Sequence, residues 1–303
     1  MKKIMAITKG GVSSLISACS LATLSLLMTP KASALEVGPG DFEYLPSGIN
    51  VGMLYYQHAQ RDSLYAQGKK VPGSNKLTTD IGIFRYIRPV ELSNSVTVDL
   101  NLIQPFGHID AKDDASFLGH ASGMGDLTLG PVVKFLLDPE TRDVFSIAPF
   151  ITLPTGNYDN DDSLNLGDNR WSGVLQLAYV KHFGTNWALD TIGDVSIYGK
   201  NDDFGMAGAE LKQKPRYEVQ THARYILSPA TSLAAGIGHY EGGETEINDV
   251  KMNDKLKTTY GRLSITHFMD RTSQLQVLIG KDLEVENGFK EDIRINLRIA
   301  KIF

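Results

Sequence analysis

From Val96 to Leu102 the chain alternates strictly. Val96, Val98, Leu100 and Leu102 are apolar, and Thr97, Asp99 and Asn101 between them are polar. A period of two marks an extended strand whose two faces meet different surroundings. The pattern returns along most of the chain. Tyr217, Val219, Ala223, Tyr225 and Leu227 alternate with Arg216, Glu218, Gln220, His222 and Arg224. Leu275, Val277, Ile279, Leu283 and Val285 oppose Gln276, Asp282 and Glu284. Ile293, Ile295, Leu297, Ile299 and Phe303 oppose Arg294, Asn296 and Arg298. Ile81–Val90 and Leu256–Phe268 alternate poorly, which predicts bulges there.

The first 34 residues stand outside this pattern. Lys2, Lys3 and Lys9 form a basic start, Gly11 to Met28 carries no charge, and Ala32-Ser33-Ala34 is a small-residue cleavage signal. Residues 1–34 read as an export signal removed after Ala34. A membrane anchor is the rival reading, weakened by the many Ser residues and the cleavage signal. A lipid-modified Cys19 is a second rival, opposed by the apolar run that follows it. Removal of the signal takes away four lysines, so the net charge moves from −5 to −9. Cys19 is the sole cysteine, so a disulfide scaffold is excluded.

No later stretch approaches the roughly 18 apolar residues of a membrane helix. Only 42% of residues are hydrophobic, too few for a helical bundle in lipid. A two-faced strand needs only every second residue apolar, so a closed sheet can span a membrane with this composition. The acidic balance opposes nucleic-acid binding.

The connections alternate in length. Short turns fall at Glu91–Ser95, Asp138–Arg142, Gly184–Asn186, Ser228–Thr231 and Asp270–Ser273. Longer polar stretches lie at Arg61–Asn75, Ile109–Met124, Asn157–Arg170, Asn201–Gln213 and Glu241–Asp254, with a shorter one at Glu286–Gly288. Eleven connections give about 12 strands. An even count with short turns at one end and long loops at the other is the layout of a bacterial outer-membrane barrel. The expected fold is therefore all-β, a transmembrane antiparallel up-and-down β-barrel. Its expected parts are the signal (1–34), a periplasmic N-terminal segment (35–47) and the barrel (48–303). Residues 35–47 are also placed to plug the lumen. Trp171, Phe183, Trp187, Tyr198 and Phe268 near strand ends suit an interfacial girdle. The terminal Phe303, with Ile299, Leu297 and Ile295 upstream, resembles the signal read by the barrel assembly machinery. Lys301 departs from it by standing where an aromatic is usual. A soluble sandwich or lipocalin-like barrel would alternate too, but would not need the export signal, the loop asymmetry or the terminal Phe.

Two motifs carry a more specific likeness. Gly123-Met124-Gly125-Asp126-Leu127 opens the fourth strand. Leu153-Pro154-Thr155-Gly156-Asn157-Tyr158, followed by Asn165-Leu166-Gly167, closes the fifth. With the strand spacing, they resemble the outer-membrane barrel family named for the meta-pathway of phenol degradation. The resemblance implies a channel or transporter for small molecules, aromatic compounds among them, and brings no catalytic residues. Gly123, Gly125, Asp126, Pro154, Thr155 and Gly156 are expected at the outer rim, in a structural hairpin rather than a ligand site.

The alternation assigns a charged lumen. Its solute-contact candidates are Asp99, Lys134, Asp190, Asp194, Arg216, Glu218, His222, Arg224, Arg262, Asp282, Arg294 and Arg298. Such groups either select a passing solute or fill a narrow barrel with ion pairs. The expected function is passive uptake of a small solute, with outer-membrane lipid and the assembly machinery as the other partners and no cofactor. Two rival classes remain. A lipase or deacylase would use His120-Ala121-Ser122, the only H-x-S in the chain. A structural or adhesive barrel would act through its external loops. Asp159-Asn160-Asp161-Asp162 offers oxygen ligands without the spacing of a calcium loop, so no metal is expected.

Overall fold

The computed structural model describes residues 37–303. Among them, twelve long antiparallel strands follow one another round a closed barrel. They are β1 (Val51–Arg61), β2 (Asn75–Ser93), β3 (Val96–Asp113), β4 (Leu127–Asp138), β5 (Asp143–Leu153) and β6 (Ser172–Phe183). The second half comprises β7 (Trp187–Tyr198), β8 (Arg216–Ser228), β9 (Thr231–Gly242), β10 (Leu256–Phe268), β11 (Ser273–Val285) and β12 (Ile293–Ile302). Each pairs with its neighbours in sequence, and β1 pairs with β12 from Val51↔Ile302 to Gln60↔Ile293. Asn50 and Phe303 exchange backbone hydrogen bonds of 2.8 and 2.9 Å at the seam. Closure leaves no sheet edge, which hydrocarbon demands because it offers backbone groups no partner.

The alternation sets the two faces as expected. Leu100, Tyr217, Val219, Ile279, Leu283, Leu297 and Ile299 point outward and are exposed, while Thr97, Asp99, Gln220, His222 and Arg298 point inward and are buried. Trp171, Phe183 and Trp187 are exposed on the outer belt. The weak alternation of β10 coincides with a register shift at Thr259/Tyr260. Ile81–Val90 on β2 pairs without a shift on either side, contrary to the bulge expected there, and the nearest irregularity, Glu91/Ser93, falls at the turn into β3.

Several stretches expected as loops form short strands instead. His120–Met124 pairs with the outer half of β3, from Asp110↔His120 to Phe106↔Met124. Asn201–Phe204, Ala209–Gln213, Thr245–Ile247 and Val250–Lys251 make a four-stranded sheet beyond the barrel. Ser63–Ala66, Lys69–Lys70 and Gly288–Lys290 make a three-stranded one. The Gly, Asn and Asp content of these stretches points to turns. Positive φ at Gln67, Asn248 and Asp249 shows that those residues do make tight hairpins, but between short strands.

One ladder is interrupted. β4 and β5 pair at Leu129↔Ile151 and again at Val133↔Ile147, and the ladder is open between them. The same register sets Pro131 opposite Pro149. Neither proline has an N–H to donate, so two bonds are lost at one place in the wall.

Candidate functional site

The predicted lumen residues do face inward, and most occur in close pairs. Lys134 Nζ on β4 lies 2.8 Å from Asp99 Oδ2 on β3. Arg224 Nε on β8 lies 2.8 Å from Asp190 Oδ2 on β7. Arg216 Nη2 is 3.4 Å from Glu218 Oε2, and Tyr260 Oη donates to Glu218 Oε1 at 2.6 Å. Asp194 stands one strand away on β7, in register with Glu218. His222 Nε2 is 3.2 Å from Gln220 Oε1. Arg298 on β12 donates to Gln274 Oε1 at 2.8 Å. Arg262, Asp282 and Arg294 gather around a residue not foreseen, Glu291.

The residues before β1 account for much of this pairing. Pro39 O accepts from Gln276 Nε2 on β11 at 3.3 Å, and Gly40 N donates to Asp190 Oδ2 at 2.8 Å. Asp41 is bridged by Arg298 on β12 and by Arg85 on β2, the latter at 3.3 Å. Glu43 is bridged by Arg224, and its Oε1 lies 3.0 Å from His182 Nε2 on β6. Lys134 Nζ donates to Glu43 O at 2.6 Å. The segment thus meets strands from both sides of the barrel and forms a crosspiece in the lumen. Burial raises the pKa of Glu43, but the His182 hydrogen bond and the Arg224 charge outweigh it and bring it down to about 2. Asp41 is likewise held below the usual carboxylate range: Arg298 and Arg85 overcome its burial. Both stay ionised and latched. Asp41 and Glu43 escaped the sequence reading because the segment has no periodicity to assign their side chains a face.

The lumen is not charged all the way round, contrary to the expected crowding with both charge signs. Ile81, Ile83, Ile103, Val132, Ala148, Phe150, Ala178, Val180 and Ile192 form one buried apolar cluster on β2–β7, with Val37 and Phe42 of the crosspiece packed into it. Most of the ion pairs concentrate on β7–β12, β1 and β2. Alternation could not foretell the apolar arc, because strands apolar on both faces lose the period of two.

The rim motifs come together. Asp126 Oδ1 accepts from Gly156 N at 2.8 Å and its Oδ2 from Asp168 N at 2.7 Å. Leu127 N donates to Thr155 Oγ1 at 3.0 Å, and Gly125 N to Pro105 O at 2.9 Å. A Cβ on Gly156 would lie within 2.9 Å of backbone atoms of Gly125, Gly167 and Asp126, so three chain segments touch there through their backbones. Gly123 has φ +138°, and a Cβ there would meet Asn157 Oδ1 at 2.3 Å. Pro154, after the last residue of β5, needs no ladder bond.

Ser122 is paired with a histidine other than that of its H-x-S motif. Ser122 Oγ lies 2.7 Å from Nδ1 of His108, its register partner on β3. Cross-strand pairing, rather than the i, i+2 spacing to His120, chose the neighbour. No grouping of three metal-ligating side chains occurs among the described residues.

Comparison with known proteins agrees with this geometry. A family model described as "Putative MetA-pathway of phenol degradation" matches residues 61–299. The chain is similar to the solved outer membrane channel from Pseudomonas putida F1, at 46% identity and a TM-score of 0.87, over 88% of this chain and 100% of that one. Its fold also resembles the β domain of the Bordetella autotransporter BrkA, at 8% identity and a TM-score of 0.51, over 85% of this chain and 100% of that one. The translocator domain of NalP from Neisseria meningitidis gives 9% and 0.50, over 96% of this chain and 95% of that one. These last two share the fold alone. No curated protein matches. The protein is a barrel of the bacterial outer membrane, and by the extent of the family match and the identity to the solved channel it belongs to the phenol meta-pathway family of outer-membrane channels.

Proposed function

We propose that small organic solutes carrying both an apolar body and a polar or charged group pass through this lumen, aromatic acids being the natural candidates. The observation that carries the reading is the division of the interior wall. An apolar arc on β2–β7 suits a ring, and the facing guanidinium groups suit a carboxylate or phenolate. The crosspiece sets the constriction between them, and its backbone and carboxylates occupy the polar arc that a solute would use. The twelve predicted charged residues and the crosspiece pair Asp41 and Glu43 are the proposed solute contacts. Asp126 and the glycines around it hold the outer rim in shape rather than bind solute.

We read the chain as a channel and not an enzyme. Ser122 and His108 sit on the outward face, above the lipid-facing Phe106 and Met124 and away from the lumen. The outward apolar belt takes lipid as its solvent, and Phe303 is the proposed handle for the barrel assembly machinery. Liposomes holding the purified protein test the reading. Benzoate should enter faster than a sugar of similar mass. Equal rates for both, or none above protein-free vesicles, would reject it.

A further inference from the structure

We propose that Arg61, Arg262 and Arg294 form a carboxylate-binding site at the outer end of the lumen, and that Glu291 is its built-in occupant. The proposal deepens the function above and rests on it.

Three arginines from three strands converge on one carboxylate. Arg61 Nη2 on β1 lies 2.6 Å from Glu291 Oε1. Arg294 on β12 donates through Nε at 2.8 Å to Oε2 and through Nη2 to Oε1, a two-pronged grip. Arg262 Nη2 on β10 lies 3.3 Å from Oε2. The surroundings hold the arginines in place. Arg61 Nη1 donates to Thr79 Oγ1 at 3.2 Å, and the Arg262 guanidinium stacks 4.4 Å from the Tyr260 ring centroid. Arg61, Arg262 and Glu291 are buried.

Glu291 itself is not on the wall. It belongs to the connection between β11 and β12, where its N donates to Asp282 Oδ2 and Asp282 N donates to its O, both at 2.8 Å. The same connection carries Gly288–Lys290, which pairs with Ser63–Ala66 and sets Phe289 in register with Leu64. Both side chains are buried in the apolar cluster. Glu291 thus anchors a cap at the outer end.

The charges do not balance on the wall alone. Asp282 is the acidic wall residue in this group, near Arg262 and Arg61, against three guanidiniums in the group as a whole. Removing the Glu291 carboxylate would leave the group short of two negative charges in a buried setting, which is costly. A carboxylate that arrives in solution can restore the same charge-assisted bonds, since planar guanidinium forks accept any carboxylate. Exchange of one carboxylate for another conserves the bonds and releases the cap. Binding of the solute's acid group is thereby coupled to opening of the outer end. A neutral solute has no such lever.

The test uses benzoate and its neutral amide, benzamide. A Phe289→Cys chain, started after Ala34 so that it holds this thiol alone, is placed in vesicles and labelled with a membrane-impermeant maleimide. Benzoate should speed labelling about tenfold at saturation, and benzamide should leave it unchanged. Calorimetry in detergent supplies a second reading. Glu291→Gln removes the internal competitor and should bind benzoate about tenfold more tightly than the unaltered protein. Arg294→Met should abolish that binding. Equal effects of benzoate and benzamide on labelling, or benzoate binding no tighter in Glu291→Gln, would overturn the proposal. If Glu291→Gln fails to fold, the labelling experiment decides alone. Neither measurement depends on flux, so failure of this site is distinct from failure of the channel reading.

Discussion

Replacing Lys134 by Met should cost about 3–5 kcal/mol of stability, because it leaves a buried charge without its partner. Lys134 is 1% exposed and Asp99 is 2% exposed. Their bridge is 2.8 Å long, and the ammonium also donates to Glu43 O at 2.6 Å. In Lys134→Met the Asp99 carboxylate stays buried, and the crosspiece loses one tie worth about 1 kcal/mol. Adding Asp99→Leu removes the stranded charge, and an apolar pair of similar volume is often neutral or better. The double variant should therefore recover about 2–4 kcal/mol of the loss, a coupling that a double-mutant cycle reads directly. Urea unfolding from lipid vesicles, followed by fluorescence of Trp171 and Trp187 on the lipid-facing belt, supplies the measurement. A cost below about 1 kcal/mol for Lys134→Met, or a double variant no more stable than it, would mean that Asp99 does not depend on Lys134 for its charge balance.

Asp126→Ala should loosen the rim, since it strands the N–H groups of Gly156 and Asp168. A loss of about 2–4 kcal/mol and faster proteolysis between residues 157 and 168 are expected, with intact cleavage resistance as the contrary result. Replacing both Pro131 and Pro149 by Ala returns two N–H donors to the β4–β5 ladder. Stability should rise by about 1–3 kcal/mol, and no gain would mean that the gap has another cause. Glu43 carries a pH dependence with a definite sign. Its pKa is lowered from 4.5 to about 2, so its latch is fully present above about pH 4.5 and is lost as pH falls toward 2. Conductance should be flat from about pH 8 to about pH 5 and rise below that window; a rise near neutrality would contradict the assignment.

The barrel wall was legible because lipid and lumen impose opposite demands on successive residues. Val96 to Leu102 states that contrast directly. The short turns were equally plain, since a two-residue connection such as Asn94-Ser95 leaves little choice of composition. The interior was legible only where it is polar. Asp99, Lys134 and Arg224 stand out between apolar neighbours, whereas Ile103 and Phe150 look like any wall residue. Pairing across the barrel was hidden altogether. Nothing near Arg298 announces Asp41, 257 residues away in sequence, and nothing near His108 announces Ser122. These contacts follow from strand register and from where the crosspiece lies, which the local pattern does not encode. The reading of residues 1–34 as a cleaved signal lies outside the described residues.

On the function proposed above, residues 38–43 set the constriction of the conducting lumen. Single-channel recording in planar bilayers, comparing the unaltered protein with Asp41→Asn plus Glu43→Gln, reads that constriction as a current. Without those two charges the crosspiece loses its bridges to Arg298, Arg85 and Arg224, and conductance should rise by about threefold or more as the crosspiece leaves the lumen. Equal conductance in the two proteins would place the constriction elsewhere in the barrel.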